Sequence, residues 1–126
     1  MLVLGRHVIS FRPDLNAIRE TAKSKGYSDV QAEILTQLYA LNPLWIYEYN
    51  VKAILNVADG YGVRLHIKHG RKVINIDIVY SVGQDLYEVA AHEVDAVKAE
   101  TKQIAKIEMV FFDQLHEVIR KILGRA

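Results

Sequence analysis

The chain has no cysteine, two prolines and one tryptophan among its 126 residues. Without cysteine there is no disulfide scaffold, no thiol nucleophile and no Cys-based zinc site. Excess charge is also missing, since 16 Lys+Arg face 15 Asp+Glu for a net charge of +1. No global field then draws the protein to nucleic acid or to an anionic membrane, and a basic surface has to be built locally. No apolar run approaches the ~20 residues of a membrane span. The opening Met1-Leu-Val-Leu-Gly-Arg-His falls well short of a signal-peptide core. These absences predict a cytoplasmic protein without membrane partners.

Further absences bear on chemistry. There is no Gly-rich phosphate loop, nucleophile elbow or dinucleotide fingerprint, and Gly60-Tyr61-Gly62 reads as a turn before a strand. No cofactor is expected. Internal repeats and Ser/Gly/Pro-rich linkers are lacking too, which predicts a single domain over 1–126. What is present is 51% hydrophobic and 25% charged, the composition of an ordered chain. Scarce Met with abundant Ile, Val, Tyr, Lys and Glu matches the usage of thermostable proteins.

Along the chain, His7–Phe11 is β-prone and predicts an edge strand that stops at Arg12-Pro13. Pro13 and Gly26 bracket a helix over about 13–25. Ser28 and Gln31 form a capping-box pattern ahead of Val30, Ile34, Leu35, Leu38 and Leu41, a second helix over 28–41. Over Leu44–Ala58 an apolar stripe favours a third helix against a strand-like Trp45–Tyr49 composition. Gly70-Arg71 suits a two-residue hairpin turn. Counting outward pairs His69 with Lys72, Ile67 with Ile74, Leu65 with Ile76 and Val63 with Ile78. On the other face Arg64 meets Asp77 and His66 meets Asn75.

From Asp85 to Leu123 no Gly or Pro interrupts the chain. Positions such as Val97, Ile104, Phe111, Leu115, Val118 and Ile122 recur at a mean of ~3.5 residues, the spacing of a coiled-coil seam. The expectation is one long amphipathic helix over 85–123, overhanging its domain and serving as the interface of a homodimer. The fold class is α+β: N-terminal helices, a small antiparallel hairpin sheet and this long C-terminal helix. In the order of its elements the chain resembles a winged helix followed by a dimerising helix, as in small transcription regulators. It departs at Leu44–Ala58, where Trp45, Tyr47 and Tyr49 stand in place of the Arg, Lys, Asn or Gln that base contacts need.

Three functions follow. The leading one is a homodimeric binding or regulatory module touching nucleic acid through Arg64, Lys68, Arg71 and Lys72 of the basic hairpin. A metal-assisted enzyme is the alternative, with Glu88, His92 and Asp95 at i, i+4 and i+7 on one helical face. The third is a purely structural assembly factor of thermophile or viral type. Asp113, His116 and Glu117 form a weaker acidic and histidine cluster, read as the outer face of the long helix.

Overall fold

A computed structural model describes residues 2–4, 7–9 and 14–125. Strands β1 (Leu2–Leu4) and β2 (His7–Ile9) pair with each other in a two-stranded sheet. The predicted edge strand at 7–11 is thus β2 in part, while 10, 11 and Pro13 fall outside the described residues. Helix α1 (Leu15–Ser24) starts where the Asp14 carboxylate accepts from the Ala17 N–H at 3.1 Å, and stops before Gly26, which takes φ +91°.

Helix α2 (Asp29–Leu41) opens with the expected capping box: Ser28 Oγ accepts from the Gln31 N–H and Gln31 Oε1 from the Ser28 N–H. The same two side chains reach the sheet, since the Ser28 hydroxyl donates to Gly60 O and Gln31 Nε2 donates to Gly62 O at 2.9 Å. One cap therefore both starts the helix and places it across the beginning of the next hairpin.

The third helix is corrected. Asn42-Pro43 leads into a single turn, α3 (Trp45–Glu48), and Val51–Val57 is strand β3. Asn50 breaks the helix by adopting φ +58°, a left-handed conformation that asparagine tolerates. Its amide then donates to Lys68 O at 2.8 Å, docking the chain beside the next strand. Trp45 is fully buried and meets Tyr39 edge to face at 5.4 Å, so its composition served the core.

Strands β4 (Gly62–His69) and β5 (Lys72–Ser81) pair in the expected register, from His69 opposite Lys72 to Val63 opposite Ile78. Gly70 takes φ +64° at the tip, and the Arg64–Asp77 and His66–Asn75 pairs both form.

The long C-terminal helix is overturned. Leu86–Asp95 is strand β6, Glu100–Val110 is strand β7, and only Leu115–Arg125 is helix, α4. The reversal between the strands uses neither Gly nor Pro. Asp95 Oδ1 accepts from the backbone N–H of Val97 and Lys98, both at 3.1 Å, and Ala99 takes φ +52°. Register shifts between Tyr87 and Val89 and between Ala91 and His92 break the two-residue alternation that would mark β7 as a strand. What is left mimics a helical stripe.

The main sheet is thus an antiparallel meander in the order β3-β4-β5-β6-β7. One face is buried: Val63, Leu65, Ile67, Ile74, Ile76 and Ile78 join Ile34 and Leu38 of α2 and Leu115, Ile119 and Ile122 of α4 in one core. The other face carries no helix among the described residues and remains half-buried to exposed. No helix among the described residues is long and apolar enough to cross a membrane. Where α4 meets α2 and α3, His116 Nε2–H donates to Leu38 O at 2.8 Å, so Nδ1 accepts from the Tyr49 hydroxyl at 2.6 Å. Burial lowers the His116 pKa from its ordinary 6.5, against the opposing effect of the Leu38 carbonyl. Burial also pushes the Tyr49 hydroxyl up to about 12.

Two outcomes are expected. Ala99→Gly should stabilise the protein by about 1 kcal/mol in urea unfolding, because glycine adopts the left-handed conformation without strain. Inside a continuous helix the same change would cost about 1 kcal/mol, so the sign reads out the corrected structure. For His116, the unfolded chain binds a proton below pH 6.5 while the folded chain resists it until lower pH. Stability therefore holds above 6.5 and declines as pH falls from there through the folded pKa. His116→Gln, which can keep one donor and one acceptor, should flatten the urea midpoint over that window.

Candidate nucleic-acid interface

The meander sets three turns and ends close together. Because Val73 pairs with both Lys68 and Val94, and Asp95 pairs with Glu100, the β4–β5 tip and the β6–β7 loop sit at the same end of the sheet. Helix α4 brings its last turn there as well. Lys72 and Glu93 line a hollow of about 440 Å³ together with Lys121, Ile122 and Arg125. Lys68, Arg71, Lys72, Lys98, Lys102, Lys121 and Arg125 thus gather at one end of a protein whose net charge is +1. The carboxylates on this end of the strands are Glu93, Asp95 and Glu100.

Not all of these cations are free. Lys72 Nζ lies 3.9 Å from Glu93 and Lys121 Nζ 3.0 Å from Glu117. Exposed pairs of this kind contribute ~0–1 kcal/mol, so a phosphate can compete for the lysines. Lys68, Arg71, Lys98, Lys102 and Arg125 have no ion-pair partner among the described residues.

Arg64 belongs elsewhere. It sits in the middle of the uncovered sheet face, held by Asp77 through Nε–Oδ1 at 2.7 Å and Nη2–Oδ2 at 2.9 Å. The hydrogen bonds it donates to Asp77 raise its pKa, with its own desolvation opposing. A guanidinium whose fork is filled by a carboxylate has little left to offer a phosphate. Of the four expected contacts, Lys68, Arg71 and Lys72 come together and Arg64 does not. Of the four that sequence reasoning missed, Lys98, Lys102 and Lys121 lie within the stretch read as one helix, and Arg125 lies just beyond it. An aspartate able to cap a turn, with lysines three and seven residues on, was the signal for the first two.

The uncovered face has its own pattern. Ala53, His66, Asn75, His92 and Gln103 form one row across the five strands. His66 Nδ1–H donates to Asn75 Oδ1 at 2.8 Å. Leu55, Arg64, Asp77, Ala90 and Lys106 form the next row. This face is polar at its centre and aliphatic around it.

The helix-borne metal site is corrected with the helix that carried it. On strand β6, Glu88 and His92 share a face but stand four residues apart, about 13 Å. Asp95 has the opposite parity and is committed to its turn. Glu88 pairs instead with Lys106 at 3.6 Å. Among the described residues no three His, Cys, Asp or Glu side chains group as metal ligands would. Asp113 lies in a 3₁₀ turn, while His116 is the buried core histidine described above.

The expected interface seam is likewise dispersed. Leu115 and Ile122 are buried in the protein's own core, with Ile104 and Val118 packed partly against it. Val97 is 97% exposed at the tip of the β6–β7 loop, and Phe111 is exposed just after β7. The six residues share no single surface: Val97 is in the β6–β7 loop, Ile104 on β7, Phe111 just after it, and Leu115, Val118 and Ile122 on α4. Compared with family models, curated proteins and solved structures, the chain matches none of them.

Proposed function

We propose that the protein is a nucleic-acid-binding module that grips the phosphate backbone with the cationic end of its sheet. The observation that carries this reading is the separation of charge. A chain with one net positive charge places seven basic side chains, from two turns with their flanking strand ends and from a helix terminus, at one end. Arg71 at the hairpin tip leads, with Lys68 and Lys72 flanking it, Lys98 on the neighbouring loop and Lys102 near the start of β7. Lysines and arginines at a strand tip suit backbone contact, which positions a protein without reading sequence. The polar row on the open face contributes amide and imidazole groups beside that end, chemistry suited to base edges or sugar hydroxyls.

Pairing of two copies is a second part of the proposal, favoured by the edge of β7. Met109, Phe111 and Phe112 are exposed there beside a strand of eleven residues whose outer edge has no neighbouring strand among the described residues. Joining two such edges would set two cationic ends on one assembly.

Fluorescence anisotropy with a labelled 20-base-pair duplex and a single strand of equal length tests the first part. Binding is expected at low salt, with log K falling against log salt at a slope of about −3 for three to four phosphate contacts. Arg71→Glu with Lys72→Glu should lose most of the binding and reduce the slope by ~2, one per phosphate contact removed. Arg64→Gln should change it little. No binding at the lowest salt removes this function. Sedimentation tests the pairing independently: a mass twice 14.3 kDa is expected, and Phe111→Glu with Phe112→Glu should return it to the monomer.

A further inference from the structure

A second region of the molecule has the makings of a ligand site, far from the cationic tip in chemistry and independent of it. Helix α1 is amphipathic, yet Ala22 is its one buried residue among those described. Its apolar stripe packs along α2 on one side and faces the edge strand β3 on the other across an open groove of about 750 Å³. That volume lies within the range of small-molecule sites, roughly 300–1,000 Å³.

The groove is open because of the residues that face it. Ala17 and Thr21 occupy positions of α1 where a Leu or Phe would close the gap onto β3. The floor is aliphatic, with Ile18, Leu35, Ile46 and Ile54. Val51, Lys52, Ala53 and Ile54 line the groove together because it runs along the outer edge of β3, where the strand has no partner among the described residues and its backbone as well as its side chains can face the groove. The register shift between Val51 and Ala53 leaves Lys52 out of the ladder with β4.

The rim is cationic. Lys52 from β3 and Lys25 from the end of α1 both line the groove, and neither has an ion-pair partner among the described residues. The one carboxylate in the lining, Asp14, already accepts the Ala17 N–H as the cap of α1. An aliphatic floor and two ammonium groups without counterions complement a ligand with an extended apolar body and one acidic head.

We propose that this groove binds an amphiphilic carboxylic acid, its alkyl chain lying between α1 and β3 and its carboxylate held by Lys25 and Lys52. Trp45 reports on it through Tyr39, being the sole tryptophan in the chain and packed edge to face against that residue of the groove wall.

Titration of the protein with dodecanoate, read by Trp45 emission and by calorimetry, should give saturable binding of one molecule per chain below the concentration at which the fatty acid forms micelles. Lys25→Glu with Lys52→Glu should weaken dodecanoate about tenfold or more, the loss expected for charge-assisted contacts. The same change should leave the methyl ester of dodecanoate bound as before. Ala17→Phe, at an exposed position that need not disturb the fold, should fill the groove and abolish both. Circular dichroism confirms that each variant is folded, and Ile18→Phe gives a second groove-filling change if Ala17→Phe does not fold. The proposal is overturned by no saturable signal with dodecanoate, by equal affinity for dodecylamine, or by unchanged binding in a folded groove-filled variant. Since none of these residues belongs to the cationic tip, loss of DNA binding and loss of dodecanoate binding are separable results.

Discussion

Burial of one face of the β4–β5 ladder organises everything else in this protein. Val63, Leu65, Ile67, Ile74, Ile76 and Ile78 are fully buried, and each such side chain contributes ~1.5–3 kcal/mol on leaving water. By comparison, the exposed ion pairs Lys23–Asp29 and Lys121–Glu117 contribute ~0–1 kcal/mol each. The apolar ladder therefore decides which face the helices cover. Once α2 lies on that face, its capping box closes onto Gly60 and Gly62. Gly62, having no side chain, also lets β4 begin close against β5. A Cβ at that position would stand 2.8 Å from Ile78 O. Helix α4 takes the remaining half of the same face and brings its basic end toward the hairpin tip.

The same burial explains which parts of the fold were legible in the sequence. The β4–β5 hairpin was legible because its turn carries a glycine with the required positive φ and its strands keep strict alternation. Helix α2 was legible from Ser28 and Gln31. Strands β6 and β7 were hidden for two physical reasons. Their turn is made by Asp95 and by Ala99 in a left-handed conformation, with no residue that marks a reversal. Their two register shifts place Ile104, Ala105, Ile107 and Val110 toward the core at uneven spacing, and an uneven pattern rich in Ala, Glu and Lys resembles a helix. The error at Leu44–Ala58 has a related cause, since one helical turn and one bulged strand share an apolar sequence. The breaking point, Asn50, shows only as a tolerated positive φ.

Misreading one element moved every candidate site placed on it. As a helix, 85–123 brought Glu88, His92 and Asp95 together and lined up a seam from Val97 to Ile122. As two strands and a short helix, it sends the acids and histidine apart and turns Leu115 and Ile122 into core. The hairpin residues, read from a correct element, kept their places. Even there, pairing mattered more than position: Arg64 and Lys68 share a strand face, but Asp77 opposite Arg64 satisfies its fork while Val73 stands opposite Lys68. Cross-strand register thus determines which cation is available to an outside anion.

Location follows from topology in the same way. A meander alternates its loops between the two ends of the sheet, so every second turn falls on one end. Charge placed on alternate turns accumulates there, whatever the net charge of the chain. Here the β4–β5 turn and the β6–β7 turn are alternate, and α4 runs back toward them because β7 ends at the opposite side. Lys121 and Arg125 then lie in the last turns of a helix, where the backbone carbonyls carry partial negative charge that favours cations. The arrangement that stabilises the helix terminus is also the one that adds its charge to the tip, which is why a nearly neutral chain can present a cationic end without any run of basic residues in its sequence.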